Sequence, residues 1–266
     1  MNRTIRLIMM TLGLLAAGTT LAEEPIILPK GTQAGFYLAY GGLAESGNFI
    51  ENAMLTSDGQ GGWTSEKKLW WKNGNDWADY YCYAPYVADV NNPRAVYFTL
   101  RTDQTTAEAQ AASDFFYGRS NGFPQSGFPS LQMNHLLSKI VVKIVAGEGF
   151  TESELKEGEL SVLVKDVYTQ AKVNLIEGRA EASGSSANVK ALAENALTYS
   201  AIIAPQEVST VSVVWNNTDY PLALKHYCSG RVVYTLTATL KKASGGINIS
   251  IGGWEDSGED FGGTVN

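Results

Sequence analysis

Few side chains in this sequence have the types and spacing that catalysis or metal binding requires. The two histidines, His135 and His226, have no His or Cys at the spacing of a zinc site, although Cys228 follows His226 by two residues. If that segment is a strand, His226 and Cys228 project from the same face, but two ligands do not complete a site. No Gly-rich phosphate cradle leads from a strand into a helix. We therefore predict no metal site and no cofactor.

A G-x-S-x-G pattern at residues 118–122 matches the nucleophile elbow of hydrolases, in which a helix must follow the serine. Pro124 and Pro129 come soon afterwards and oppose a helix. Glycosidases need two carboxyl groups that face each other across a sugar, and no feature of the sequence pairs the available ones. The sequence therefore predicts no catalytic residues and a protein that is not an enzyme.

Tryptophans close together in the first half are candidates for binding. Trp70, Trp71 and Trp77 carry rings that could stack on sugars, and Asp76 and Asp79 lie nearby in the sequence. The alternative is that these rings belong to the core, since alternation along a strand turns about half of its residues inward and large aromatics dominate core burial. Core packing is the favoured interpretation, with glycan contact as the second.

The first residues have the three-part layout of a secretory signal peptide. Arg3 and Arg6 give a basic start, and residues 7–17 are almost entirely apolar. This run is shorter than the roughly 20 residues that span a bilayer. Small residues then precede a predicted cleavage between Ala22 and Glu23. We expect an exported protein at the cell surface, on the outer membrane or in a fimbria.

The charge of the chain restricts its partners. The formal net charge is −7 at pH 7, and loss of Arg3 and Arg6 with the leader makes it −9. An acidic chain without basic clusters in its sequence argues against nucleic acid and against anionic membrane surfaces as partners.

The chain has two cysteines, Cys82 and Cys228. Export permits a disulfide between them, and closing so long a loop would stabilise the fold by about 5 kcal/mol in the chain-entropy model. The alternative, which we favour, is two separate buried thiols, because free cysteine is among the most buried residue types.

Short runs rich in Val, Ile, Tyr, Trp and Thr, separated by Gly, Asn, Asp, Ser and Pro, predict an all-β protein. Residues 234–240 alternate strictly and are joined to residues 247–251 by Gly245-Gly246, which predicts a hairpin with one buried face. Helical signal is weak and confined to residues 105–112 and 189–197. A change of composition near residue 147 suggests two β-sandwich domains, residues 23–146 and 147–266, after a signal peptide at residues 1–22.

Several landmarks in this order resemble the fimbrillin family, the subunits and accessory proteins of type V pili in Bacteroides-type bacteria. The segments that carry the resemblance are WADYYCYAPY at 77–86, Asp103-Gln104 with SDFFY at 113–117, HLLSKIVVKI at 135–144, AIIAPQ at 201–206 and the final hairpin at 234–254. The resemblance implies two transthyretin-like β-sandwiches in tandem and a structural or adhesive role. It also implies that other pilus subunits are partners, joined by exchange of a β-strand.

Three features depart from the family pattern. Thr19 stands where most members have a lipid-bearing cysteine, so a lipid anchor is not evident. Lys30 is the only basic residue between Glu23 and Glu66, which makes it the candidate site of activating proteolysis. The acidic, Gly-rich residues 255–266 would make a poor donor strand. These departures favour an accessory or tip component over a shaft subunit. The alternative function is a glycan-binding surface module that uses the aromatic residues of the first half, with a glycan or protein of a host or bacterial surface as its partner.

Overall fold

The computed structural model describes residues 26–124, 131–243 and 246–256. The predicted signal peptide, its cleavage point at Ala22 and Glu23, and the tail beyond Asp256 lie outside the described residues. Within them the chain forms sixteen strands in three sheets and two short helices, which confirms the all-β prediction. The strands are β1 Gln33–Ala39, β2 Ile50–Ser57, β3 Trp63–Thr64, β4 Ala78–Ala84, β5 Val96–Thr99, β6 Phe116–Gly122, β7 Asn134–His135, β8 Ser138–Ala146, β9 Leu160–Asn174, β10 Arg179–Lys190, β11 Leu192–Asn195, β12 Thr198–Ile203, β13 Gln206–Trp215, β14 Thr218–Cys228, β15 Val233–Ala243 and β16 Gly246–Asp256. The helices are α1 Ala107–Ala111 and α2 Glu152–Glu157.

The first sheet has the strand order β3-β2-β1-β4-β6-β7. β1 lies in its interior, antiparallel to both β2 and β4. Phe36 and Leu38 of β1 pack into a cluster on one face, which we call the N-terminal cluster, and Tyr37 packs into a second cluster on the other face. Because both faces are covered, all but the first residue of β1 are buried.

The second and third sheets enclose the largest of the hydrophobic clusters formed by the described residues. The second sheet has the order β10-β9-β13-β14, with β5 also paired to β9, and the third has the order β11-β12-β8-β15-β16. Alternate residues of β9, β13 and β15 point into the space between the sheets, as the two-residue period of strands requires. β8 and β15 are paired in parallel.

The long hairpin β9–β10 connects the two halves of the molecule. Its distal part, together with β5, packs on the second face of the first sheet, where Val173 and Leu175 meet Tyr83 and Phe115. The hydroxyl of Tyr117 in β6 donates to the carbonyl of Leu175 at 2.7 Å. One face of a sheet from the first half is thus covered by β5 together with the β9–β10 hairpin from the second half.

The domain boundary near residue 147 stays a prediction. β8, which precedes that point in the sequence, hydrogen-bonds to β12 and β15, which follow it.

Helix is a minor component of the described chain. The signal at residues 105–112 corresponds to α1, which begins after the N-cap Thr106. The signal at residues 189–197 is wrong, because β11 pairs there with β12 and the ladder overrides a weak helical propensity. Neither described helix, of five and six residues, has the length to cross a bilayer.

Candidate functional site

The segment before β1 alternates between buried and exposed side chains. Ile26 and Leu28 are buried in the N-terminal cluster, whereas Ile27 between them is 44% exposed. The hydroxyl of Ser57, at the end of β2, donates to the carbonyl of Leu28 at 2.9 Å. Residues 26–28 therefore occupy the cluster in the manner of a strand, with two anchors at i and i+2.

Lys30 lies at an exposed turn between this segment and β1. The amide of Thr32 donates to the carbonyl of Pro29 at 3.1 Å, which closes the turn. Gly31 has a φ of +88°, a conformation that glycine adopts without steric penalty, and no heavy atom lies near the position of an added Cβ. The Lys30–Gly31 bond is thus on the surface, where exposed turns are the preferred sites of proteolysis.

A second candidate surface lies at one end of the first sheet. β1 ends where β2 and β4 begin, and β6 ends opposite the start of β4. The residues that immediately flank these four strand ends are all aromatic: Tyr40, Phe49, Trp77 and Phe123. We call these residues, with Trp70 and Trp71 of the β3–β4 connection, the aromatic end.

Several rings of the aromatic end face solvent. Trp77 is 51% exposed and packs edge to face against Phe123, with ring centroids 5.1 Å apart. Tyr40 and Phe49 form a second edge-to-face pair at 5.4 Å. Trp70 is 47% exposed, so these rings can offer their apolar area to a ligand.

The structure separates the three tryptophans that the sequence singles out. Trp70 and Trp77 are exposed, whereas Trp71 is partly buried against the N-terminal cluster. The amide of Lys72 donates to the hydroxyl of Tyr40 at 3.0 Å, which attaches this connection to the aromatic end. In the same connection, the side-chain amide of Asn73 donates to the carboxylate of Asp76 at 2.8 Å. An amide and a carboxylate thus lie between Trp71 and Trp77 in the sequence.

The two cysteines are free and lie in different clusters. Cys82 belongs to the N-terminal cluster and Cys228 to the core between the second and third sheets. The candidate disulfide is therefore not formed in this structure. Burial raises the pKa of each thiol to about 12, so neither is a nucleophile at neutral pH.

The remaining candidates for chemistry have structural surroundings. His135 is buried, with Nδ1 2.5 Å from Oδ2 of Asp114, and its ring lies 4.7 Å from that of Phe116. His226 packs against Tyr234 with centroids 5.0 Å apart. Within the described residues no group of three His, Cys, Asp or Glu side chains could hold a metal ion.

The serine of the G-x-S-x-G pattern, Ser120, lies inside strand β6 and not at a turn between a strand and a helix. The pattern therefore has none of the structural context of a nucleophile elbow.

Sequence reasoning missed a group of arginines. Glu177 and Gly178 lie in the turn that joins β9 to β10. Four of the five arginines beyond residue 22 line the two clefts next to this turn: Arg94, Arg119, Arg179 and Arg231. These positions are widely separated in the sequence. No local pattern could have indicated their proximity, which depends on the long hairpin.

Comparison with known proteins identifies relatives of this chain. A family model described as fimbrillin-like matches residues 29–254. No curated protein matches the sequence. Among solved structures, a candidate cell adhesion protein from Bacteroides uniformis superposes with a TM-score of 0.68 at 16% identity, over 88% of this chain and 94% of that chain.

Two further solved structures share the fold. A candidate cell adhesion protein from Bacteroides ovatus superposes with a TM-score of 0.66 at 16% identity, over 86% of this chain and 88% of that chain. A fimbrial protein from Bacteroides ovatus gives a TM-score of 0.52 at 17% identity, over 82% of this chain and 44% of that chain.

Proposed function

The chain belongs to the fimbrillin-like family, and from this premise we propose that it is a non-enzymatic accessory or tip component of a bacterial surface fimbria. In this proposal the subunit accepts a β-strand from a neighbouring subunit, after proteolysis removes the segment that ends at Lys30. Its location is the cell surface, where it serves as a structural or adhesive element.

The observation that carries the proposal is the alternating burial of Ile26, Ile27 and Leu28 directly before an exposed basic residue. Cleavage after Lys30 would remove both anchors and uncover two neighbouring apolar positions on the N-terminal cluster. A strand with apolar side chains at i and i+2 would refill them, which is the way an added strand gains both specificity and affinity. The hydroxyl of Ser57, which now bonds to Leu28, would be free to bond to the incoming backbone.

The composition of residues 257–266 makes this segment a poor donor strand, which agrees with an accepting role. Residues 257–266 contain two large apolar side chains, Phe261 and Val265; Gly258 precedes Phe261, and Gly262-Gly263 lie between the two. A donor strand requires alternating apolar residues, and glycine weakens a strand interior. A component at the tip of a fibre needs an acceptor site but no donor strand.

Processing can be tested with a substitution at the proposed cleavage site. We expect protein isolated from the native cell surface to begin at Gly31, and Lys30→Gln protein to keep its longer N-terminus and to be absent from sheared fimbriae. Lys67→Gln is the matched control, because Lys67 is also an exposed lysine near the first sheet. Surface protein that begins before Ile26 in fimbriae of normal composition would contradict the proposal. Mass spectrometry of the N-terminal peptide distinguishes these outcomes.

A second candidate function is glycan binding at the aromatic end. The observation that favours it is the exposure of Trp70 and Trp77, 47% and 51%, beside the polar groups of Asn73 and Asp76. Exposed rings offer flat apolar faces to sugars, and carboxylate and amide groups bind hydroxyls.

Glycan-array binding by the purified full-length protein tests this second function. We expect Trp77→Ala and Trp70→Ala to remove any binding that wild-type protein shows. Tyr227→Ala is the control, since Tyr227 is 58% exposed but lies on β14 of the second sheet. Equal binding by all three variants, or none by the wild type, would eliminate the aromatic end as a glycan site.

A further inference from the structure

The chain is acidic, yet its arginines gather at one place. Arg119, Gln132 and Arg231 line a surface cleft together with Tyr117, Asn134 and the β9–β10 turn, and we call this the arginine cleft. Arg94 and Arg179 lie in a neighbouring cleft that shares Glu177 with it.

The arginines differ in how their charges are compensated. Arg94 pairs with Glu45 at 2.9 Å and with Glu177 at 3.4 Å, and Arg179 also pairs with Glu177. Glu177 is thus shared by two guanidinium groups. Among the residues that the structure describes, neither Arg119 nor Arg231 has a carboxylate partner, which leaves two uncompensated positive charges in the arginine cleft.

Arg119 and Arg231, the two arginines without a carboxylate partner among the described residues, both line the arginine cleft. Arg231 donates to the carbonyl of Gly178 at 3.1 Å, which fixes its side chain across the turn. Burial raises the pKa of Tyr117, and the charges of Arg119 and Arg231 both act in the opposite direction. Both groups are therefore close enough to the hydroxyl of Tyr117 to act on it electrostatically.

The chemistry of the cleft selects a carboxylate ligand. Guanidinium groups present a planar fork of donors that matches a carboxylate. The side-chain amides of Gln132 and Asn134, which also line the cleft, can pair with the backbone of a peptide.

An acidic stretch of the same chain begins beside this cleft. β16 ends at Asp256, which is the antiparallel partner of Tyr234, and Arg231 precedes Tyr234 by three residues. The chain beyond Asp256 contains Glu259 and Asp260 and no basic residue. Four extended residues span about 13 Å, which is longer than the three residues that separate Tyr234 from Arg231, so a chain that continues alongside β15 can carry both carboxylates to the Arg231 side of the cleft.

We propose that the arginine cleft binds an acidic peptide segment, and that its occupant is the stretch after β16 in this chain, with Glu259 and Asp260 against Arg119 and Arg231. This assigns the tail to a site on its own subunit, and it does not depend on the proposed processing at Lys30.

Competition with a peptide tests the proposal. The probe is a fluorescent synthetic peptide of residues 257–266, SGEDFGGTVN, added to full-length protein in low-salt buffer. The double variant Glu259→Gln with Asp260→Asn should bind it about tenfold or more tightly than wild type, because a tethered segment outcompetes a free one. Binding should weaken as salt is added, since the contacts are exposed ion pairs.

Substitutions in the cleft identify the site. In the tail-neutralised background, Arg119→Gln and Arg231→Gln should each weaken binding of the peptide about tenfold. The side chain of Arg119 is exposed and makes no hydrogen bond among the described residues, so we expect its replacement to preserve the fold. Arg101→Gln is the matched control, because Arg101 is an exposed arginine away from the cleft, and it should leave the affinity unchanged.

Four outcomes would overturn the proposal. Equal affinity of wild type and the tail-neutralised variant means that the tail does not occupy the cleft. Unchanged affinity in Arg119→Gln protein means that the peptide binds elsewhere. Absence of binding to the tail-neutralised variant means that the cleft is not a peptide site. Binding of polygalacturonate, but not of the peptide, would make the ligand a carbohydrate.

Discussion

The side-chain amide of Gln104 makes with Ile202 the two hydrogen bonds that a neighbouring strand would make. Its nitrogen donates to the carbonyl of Ile202 at 2.8 Å, and its oxygen accepts from the amide of Ile202 at 2.8 Å. Strand β11 pairs with β12 only as far as Ser200, so the Gln104 amide continues the ladder where that strand stops. A buried sheet edge is in this way satisfied by one fully buried side chain.

Replacing Gln104 should therefore destabilise the protein strongly. Gln104→Ala leaves the buried amide and carbonyl of Ile202 without partners, and we expect a loss of about 3 kcal/mol in the free energy of unfolding. Gln60→Ala, at an exposed glutamine, should change it by less than about 0.5 kcal/mol. Urea denaturation followed by tryptophan fluorescence measures both. A loss below about 1 kcal/mol in Gln104→Ala would contradict the structural role.

The same device occurs a second time. The amide of Tyr168 in β9 donates to the side-chain oxygen of Gln206 at 2.8 Å, and the side-chain nitrogen of Gln206 donates to the carbonyl of Tyr168 at 3.1 Å. Gln104 and Gln206 lie in two of the segments that carry the resemblance to the fimbrillin family. Their role follows from where strands end in space, and the residue types alone do not reveal it.

The acid stability of the protein should depend on Glu154. The ammonium group of Lys242 at 2.7 Å, together with the amide and hydroxyl of Thr151, lowers the pKa of Glu154 from its ordinary 4.5 to about 2. A lowered pKa stabilises the fold above pH 4.5, and that contribution is lost as the pH falls through about 2. The melting temperature of wild type should therefore fall more steeply between pH 4.5 and pH 2 than that of Glu154→Gln protein.

The control for this pH dependence is Glu157→Gln. Glu157 is an exposed carboxylate of the same helix and has no ion pair among the described residues. Its replacement should preserve the slope of the wild type. Parallel curves for wild type and Glu154→Gln would show that the contacts of Glu154 do not stabilise the fold.

The two thiols should be inert in the folded protein. Burial raises the pKa of Cys82 and Cys228 to about 12, so at pH 8 both are protonated and shielded from solvent. We expect no reaction with Ellman's reagent in native protein and two reactive thiols after denaturation without reductant. Recovery of fewer than two thiols under those conditions would indicate a disulfide. The melting temperature should be the same with and without reductant.

The local parts of the fold could be predicted from the sequence. Alternation in residues 234–240 predicted one buried face, and Tyr234, Leu236, Ala238 and Leu240 are all buried. The antiparallel pairing of β15 with β16, which extends to Ala243 and Gly246, confirms the hairpin. Both inferences depend on a two-residue period and a turn, which are properties of neighbouring residues.

The long-range parts could not be predicted. The parallel pairing of β8 with β15 and the pairing of β5 with β9 join segments more than 70 residues apart. The exposure of Trp77 follows from its place at a strand end. The arginine cleft forms because the long β9–β10 hairpin places its turn next to Arg119 and Arg231. Each depends on which distant strands meet, and no local pattern encodes that.

The segment before Lys30 offers a sharp test of its own anchoring. Leu28 is 4% exposed and Ile27 is 44% exposed, although they are adjacent and nearly equal in size. Leu28→Ala should lower the free energy of unfolding by about 2–4 kcal/mol, because it leaves a cavity in the N-terminal cluster. Ile27→Ala should lower it by less than about 1 kcal/mol.

Comparison of the two variants by urea denaturation separates anchoring from general effects on the N-terminus. Equal losses would mean that the alternation does not hold in solution, and the acceptor groove would lack its two apolar positions. A loss confined to Leu28→Ala would establish that removal of residues 26–30 uncovers an apolar site. Cleaved protein should then unfold more easily than the intact chain, and a strand with apolar residues at i and i+2 should restore its stability, because it binds only the folded state.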